Sequence, residues 1–152
     1  MRSWRIRSFC AALLLVAPAC GGGGAGPGVA TAPAPAGAPI EVVERFMRLV
    51  AAKDYIGMGR LFGTAEGPIT NRDPQQQVER RMYAIASILA NDRFAITGTG
   101  QSIPGRGPEV AQLTVRITQG GETRNVPFVV VRSTAGGYLV EQVDLQAVTR
   151  TQ

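Results

Sequence analysis

The sequence contains no histidine and only two cysteines, Cys10 and Cys20. Without an imidazole, the chain cannot build Ser-His-Asp or Cys-His nucleophilic machinery, a histidine-ligated zinc or iron site, or an imidazole general base. Both cysteines fall within the first 20 of 152 residues, so the rest of the chain can hold neither an internal disulfide nor a four-thiolate metal site. We therefore expect no metal site and no cofactor.

The N-terminus has the pattern of a secretory signal peptide over residues 1–19. Three arginines precede an apolar run over residues 9–16, and small residues lead up to Cys20. The apolar run ends at Pro18 and is too short for a transmembrane helix, which needs roughly 20 apolar residues. The length of 152 residues leaves room for one folded domain after this signal.

The residues at the end of the signal, Ala17-Pro18-Ala19-Cys20, resemble a bacterial lipobox. The resemblance implies cleavage by signal peptidase II before Cys20 and attachment of diacylglycerol to its thiol, which would make the membrane a partner. Lipoboxes prefer Leu, Val or Ile at the place of Ala17, and Pro18 is unusual there. The alternative is an ordinary signal peptide that leaves Cys20 as a free thiol.

The resemblance predicts a lipidated cysteine and a flexible tether over residues 20–39. Residues 21–39 contain only Gly, Ala, Pro, Val and Thr, with no charge, a composition that cannot bury a core. As a flexible coil, this tether would reach roughly 25 Å. In enteric bacteria, an aspartate directly after the lipidated cysteine resembles a signal for retention at the inner membrane. This chain has Gly21 at that position, so the periplasmic face of the outer membrane is the favoured location if the cell has two membranes.

The positive charge of the chain belongs mostly to the signal. The formal net charge is +5, but removal of residues 1–19 takes away three arginines and leaves thirteen basic and eleven acidic side chains, or +2. No run of five or more like charges remains. Nucleic acid is therefore not an expected partner.

Residues 40–150 predict a single domain that begins with three helices. Apolar residues recur at helical spacing from Val43 to Val50, after Pro39 at a first helical position. Asp54 is typical of an N-cap for a second, short helix that ends at Gly63. Asp73 followed by Pro74 predicts the start of a third helix over residues 74–90.

After Asn91 the apolar period changes from helical to alternating. Alternating runs lie at residues 94–96, 111–117, 126–130 and 138–145, and glycine pairs predict tight turns at residues 119–122 and 135–137. Pro127 lacks an amide donor, which predicts a bulge or an edge position. The order predicts an α+β fold with three N-terminal helices packed on a curved antiparallel sheet of about four strands.

This order resembles the cone-shaped superfamily of nuclear transport factor two and ketosteroid isomerase. The resemblance covers roughly residues 40–148 and rests on residues 42–46 (VVERF), the helix junction at residues 51–55 (AAKDY) and the closing strand at residues 136–141 (GGYLVE). It implies either a binding module or a pocket enzyme of the isomerase or dehydratase type, and a homodimer through the open sheet face. The alternative is a cystatin-like or ferredoxin-like arrangement. Three helices before any strand argue against both.

An enzyme of that superfamily would need acid-base groups inside the cone, where burial raises a carboxyl pKa. The candidates are Asp54, Asp73 and Tyr83. Each has a simpler explanation, because the two aspartates stand where helix caps are expected and an aromatic at helical spacing is usually core or rim.

Three further residues are candidates for ligand binding: Arg116, Arg132 and Tyr55. The arginines could line the cone and capture an anion, or they could be solvated on the outer face of the sheet. The glycine-rich stretch at residues 98–108 leads into a strand rather than a helix, so it does not fit a phosphate-binding loop and predicts a long, mobile hairpin connection.

The sequence thus predicts a lipid-anchored bacterial envelope protein whose small domain binds a ligand or a protein and has no evident catalytic constellation. A pocket enzyme of the cone superfamily is the competing hypothesis. A homodimer through the open sheet face is the third.

Overall fold

The first helix, α1 (Pro39–Ala52), buries one apolar stripe and ends in a left-handed turn. Pro39 suits the first turn because its missing amide hydrogen would have no partner there. Lys53 adopts a φ of 56° and donates its backbone N–H to the last carbonyls of the helix. The structure, a computed structural model, describes residues 38–98 and 100–149. The predicted signal peptide, Cys20 and almost all of the tether lie outside the described residues.

The second helix, α2 (Tyr55–Leu61), is capped as the sequence predicts. The backbone N–H of Gly57 donates to the Asp54 carboxylate at 2.8 Å. The helix ends earlier than predicted, because Phe62 is extended and Gly63 begins a short hairpin of β1 (Gly63–Thr64) and β2 (Gly67–Pro68). A Cβ at Gly63 would lie 2.2 Å from the Gly67 carbonyl oxygen, so this hairpin requires glycine.

The third helix, α3 (Gln75–Leu89), follows a 3₁₀ turn over Ile69–Asn71. The prediction that Asp73 caps it is wrong. Pro74 occupies the cap position with no side-chain hydrogen bond, while the Asp73 carboxylate pairs with Arg81 at 3.0 Å. The Asp73 carboxylate therefore binds the Arg81 guanidinium, two turns into the helix, instead of the backbone amides of the first turn.

The main sheet is antiparallel and open. It contains β3 (Arg93–Ile96), β4 (Gln101–Ser102), β5 (Val110–Gln119), β6 (Glu122–Arg132) and β7 (Tyr138–Val143). The strand order is β3-β5-β6-β7, and β4 pairs with β5 on the same edge as β3. A last short helix, α4 (Gln146–Thr149), follows the sheet. The fold class is thus α+β, as predicted.

The long β5–β6 hairpin turns on two glycines. Gly120 and Gly121 have φ values of 57° and 85°, which a two-residue turn between twisted strands requires. Pro127 lies within the central strand β6 and not at its bulge, which falls between Val129 and Val130. The missing amide hydrogen is tolerated because the pairing of β6 with β7 begins only at Phe128, the residue after Pro127.

One apolar core joins the helices to one face of the sheet. Its fully buried members include Phe46 and Met47 from α1, Met82 from α3, and Phe128 from β6. Phe46 packs against Phe128 edge to face, with ring centroids 6.2 Å apart. Among the described residues Ser133 is the one buried polar residue, and every carboxylate is exposed or half-buried.

A smaller apolar cluster lies on the opposite face of the sheet. Val110, Val131 and Leu139 are buried there, since their strand neighbours point into the main core. Ala65 and Ile103 cover them. The polypeptide between β4 and β5 thus crosses one end of this outer face.

A bidentate ion pair attaches the segment between β4 and β5 to the sheet. The Arg106 guanidinium donates two hydrogen bonds, at 2.7 and 3.1 Å, to the carboxylate of Glu141, the residue that β7 leaves unpaired at its bulge. The hydrogen bond and the charge of Glu141 raise the pKa of Arg106 above its ordinary value. The stretch at residues 98–108, for which the sequence predicted a long, mobile hairpin connection, thus contains the short strand β4 and contacts the sheet through Ile103 and Arg106.

The described residues all belong to one compact unit. Within that part of the chain, none of the helices combines the length and the apolar character needed to cross a bilayer.

Candidate anion-binding groove

The uncovered end of the outer sheet face carries a groove of about 390 Å³. We call it the arginine groove, and its lining comes from three adjacent strands: Arg93, Phe94, Ala95, Arg116, Thr118 and Thr123. The strand register explains how they meet. Arg93 lies opposite Thr118, which lies opposite Thr123, and Ala95 lies opposite Arg116.

The alternation of β5 directs the polar residues outward. Val115 and Ile117 are buried in the main core, so Arg116 and Thr118 must point to the other face. Ala95, directly across from Arg116, presents only a methyl group. The groove therefore lies beside a small side chain with a guanidinium on either side.

The two arginines are close enough to bind one ligand. Arg93 and Arg116 are diagonal neighbours on β3 and β5, a relation in which Cα atoms are roughly 7–8 Å apart. Long guanidinium side chains at that spacing can converge on a single group. Two positive charges on the same face also repel each other unless an anion lies between them.

A line of hydrogen bonds crosses the groove. The Arg93 Nε donates to the Thr118 hydroxyl at 3.4 Å, and the Thr118 and Thr123 hydroxyl oxygens are 3.3 Å apart. The terminal nitrogens of Arg93 take no part in this line and stay available for a ligand.

Neither groove arginine forms an ion pair with any described carboxylate, in contrast to Arg48, Arg72, Arg81, Arg106 and Arg124. The nearest acid in sequence, Asp92, accepts a hydrogen bond from the backbone N–H of Gly120 at 3.0 Å. Its carboxylate thus supports the β5–β6 turn. The groove lining has two positive charges and no negative one.

The arrangement favours binding over catalysis. The groove is open, and its lining offers guanidiniums and threonine hydroxyls but no carboxylate, thiol or amine. Guanidiniums are permanently protonated and cannot act as bases. Anion capture is the chemistry that these groups perform well.

The candidate arginines from the sequence lie on opposite faces of the sheet. Arg116 is exposed in the arginine groove, away from the helices. Arg132 is exposed at the far end of β6, where it pairs with Tyr138. Val131 points to the outer face, so Arg132 points to the helix side. The two cannot share a ligand.

The three acid-base candidates also lie apart from the groove. Asp54 is exposed and caps α2, and Asp73 is half-buried beside a small cleft of about 150 Å³ that Arg60 also lines. Tyr83 is 59% exposed and packs edge to face on Tyr55, with ring centroids 5.7 Å apart. Tyr55 itself packs against the main core. The two tyrosine candidates are thus neighbours, and their contact stabilises the α2–α3 pair.

Sequence reasoning missed Arg93, Thr118 and Thr123. The signal that could have found them is the pairing register, because the tight turn at Gly120 and Gly121 already fixes Thr118 opposite Thr123. The position of Arg93 depends on where β3 joins β5, and no local pattern specifies that.

Within residues 38–98 and 100–149, no group of three or more acidic or thiol side chains could hold a metal ion. In comparisons with known proteins, no protein-family model, curated protein sequence or solved structure matched this chain.

Proposed function

We propose that this protein is a lipid-anchored envelope protein whose folded domain binds an anionic group of a partner in the arginine groove. The observation that carries the proposal is the pair Arg93 and Arg116, which share an outward concavity and have no described acidic partner. Arginines that serve only solubility have no need to line one concavity beside a small residue such as Ala95.

The proposal includes a cone-like arrangement of the nuclear transport factor two type. Supporting it are the three helices before the main sheet and the single core that they share with one sheet face. The short β1–β2 hairpin inserted before α3 departs from the predicted order.

A binding role is better supported than the competing pocket enzyme. An isomerase or dehydratase of the cone type needs a carboxylate or a tyrosine in an enclosed interior. Here large apolar side chains such as Phe46, Met47 and Phe128 fill the space between helices and sheet. The described acids lie outside that core, at the surface or half-buried.

Anchoring rests on the lipobox-like sequence, and the chain offers a matched control for it. Cys20→Ala should abolish incorporation of an alkyne-labelled fatty acid and release the protein from the membrane fraction. Cys10→Ala, in the apolar part of the signal, should leave both unchanged. Labelling that survives Cys20→Ala would contradict the anchor. Fractionation of the two membranes tests the outer-membrane location that Gly21 favours.

Binding is tested by calorimetric titration of the full chain, in non-ionic detergent, with sulfate, phosphate and dicarboxylates at constant ionic strength. For any anion that binds, Arg116→Gln should lower the affinity by at least tenfold. Arg80→Gln removes another exposed arginine, on α3, and should have no effect. Anion binding that Arg116→Gln leaves intact would contradict the proposed site.

A second copy of the chain is a weaker candidate for this face. A two-fold dimer over the groove would bring Arg93 and Arg116 of both copies together, and like charges disfavour such a contact. Light scattering at tens of micromolar protein tests this homodimer hypothesis directly.

A further inference from the structure

We infer that the ligand of the arginine groove is a phosphate monoester. The inference rests on the proposed anion-binding function and names its substrate class. It depends on the number, direction and charge of the hydrogen-bond donors in the groove and on the volume of the groove.

The donors come from two directions, which suits a tetrahedral anion better than a planar carboxylate. A single guanidinium satisfies both oxygens of a carboxylate through two parallel hydrogen bonds. Arg93 and Arg116 approach from different strands, so a carboxylate that paired side-on with one would offer the other only its remaining lone pairs, which lie in the same plane. A phosphate monoester has three terminal oxygens in a tetrahedral arrangement and can accept from both guanidiniums at once.

The threonines supply one further donor. The Thr118 oxygen accepts from Arg93, and one hydroxyl hydrogen is used between Thr118 and Thr123. Whichever threonine donates in that contact, the hydrogen of the other hydroxyl remains free. It can donate to a third acceptor, which a tetrahedral oxyanion offers outside the plane of either guanidinium.

The charges match as well. A phosphate monoester carries about −1.5 to −2 at pH 7, against the two positive charges of the lining. A phosphodiester or a simple carboxylate carries −1 and would leave one guanidinium uncompensated. No acid lines the groove to provide the second negative charge.

The size of the groove indicates an organic substituent on the phosphate. Its volume of about 390 Å³ falls at the lower end of the range of small-molecule sites, about 300–1,000 Å³. The methyl group of Ala95 gives the lining an apolar part beside the two arginines, while the ring of Phe94 packs against the main core on the other face of the sheet. An ester with a small apolar or sugar-sized group fits this combination better than the free ion.

The test is a titration of the full chain in non-ionic detergent with phenyl phosphate and with phthalate, a dianion on the same ring whose charges lie on two planar carboxylates. Phenyl phosphate should bind at least tenfold more tightly. Equal affinity for phthalate would overturn the inference and leave the proposed anion site standing. If neither binds, both the inference and the proposed function are wrong.

The pH dependence adds an independent readout. The chain has no histidine, so no side chain with an ordinary pKa titrates between pH 5 and 7. The second pKa of a phosphate monoester is about 6, so the dianionic fraction falls roughly tenfold as the pH is lowered from 7 to 5. The affinity for phenyl phosphate should fall by about that factor, whereas the affinity for inorganic sulfate should stay constant. An affinity for phenyl phosphate that does not change with pH would overturn the inference.

Variants separate binding from folding. Arg93→Gln and Thr118→Val should each weaken phenyl phosphate binding, Thr118→Ser should retain it, and Arg80→Gln should not change it. The thermal unfolding of each variant shows whether it is folded. If folded Arg93→Gln binds phenyl phosphate as the native chain does, the two-arginine site is wrong.

Micelles doped with lipid distinguish a lipid headgroup from a soluble ester. Phosphatidic acid is a phosphate monoester, whereas phosphatidylglycerol is a diester. If phosphatidic acid displaces phenyl phosphate but phosphatidylglycerol does not, the source is a lipid. If neither lipid competes and phenyl phosphate still binds, the source is a soluble ester. Both results support phosphate monoester chemistry, whereas equal competition by both lipids would overturn it.

Discussion

Replacement of Phe46 by alanine should destabilise the domain more than any change at the arginine groove. Phe46 has no exposed surface, and its ring lies 6.3 Å from that of Phe62 and 6.2 Å from that of Phe128 between centroids. Removal of a buried phenyl ring costs about 3–5 kcal/mol, and each aromatic contact contributes about 0.5–1.5 kcal/mol beyond its buried area. We expect a loss near the top of this range, about 4–5 kcal/mol.

Urea unfolding of the fragment 32–152, which comprises the compact unit, measures this loss. With a slope of about 2 kcal/mol per molar urea, the midpoint should fall by about 2 M. Tyr83→Ala is the matched control, because Tyr83 is also aromatic but 59% exposed, and it should cost less than about 1 kcal/mol. A loss below about 1.5 kcal/mol for Phe46→Ala would refute the conclusion that the helices and the sheet share one filled core.

Three further predictions follow from local geometry. Gly120→Ala should cost about 1–2 kcal/mol because φ is positive there, whereas Gly120→Asn should cost much less, which urea unfolding of both variants checks. Asp54→Ala should cost about 1 kcal/mol through loss of the hydrogen bond from Gly57, and Asp54→Asn should recover most of it; equal losses for the two would contradict the capping role. Glu141→Gln, which removes the charge that binds Arg106, should speed proteolysis and hydrogen exchange at residues 103–109 with little change in global stability, and unchanged exchange would show that this ion pair does not hold the segment.

The parts of the fold that the sequence predicted are those determined by contacts between near neighbours in the chain. The α1 stripe, the Asp54 cap and the turn at Gly120 each depend on residues within one or two turns of each other. The hairpin at Gly63 was missed because two-residue strands carry no periodicity. The Asp73 cap was predicted wrongly because two partners compete for one carboxylate, and the sequence pattern includes only the nearer one.

The groove was only partly predictable for a related reason. Arg116 stood out as the charged residue at a polar position of an alternating strand, but its face could not be assigned without knowing which side the helices cover. Arg93 lies 23 positions earlier in the chain and reaches Arg116 through the β3–β5 pairing. Its contribution is a consequence of tertiary register, which no local pattern encodes.

The outer face of the sheet is divided by a change in composition along β5. Its outward positions run from the buried Val110 through polar residues to Arg116 and Thr118. A sheet face must be covered where it is apolar and can meet water where it is polar. The segment that carries Ile103 covers only the apolar end and is attached there through Arg106, so the polar end stays open. The same alternation that gives the sheet an apolar patch at one end therefore leaves the arginines uncovered at the other, and the arginine groove lies at the turn end of the β5–β6 hairpin.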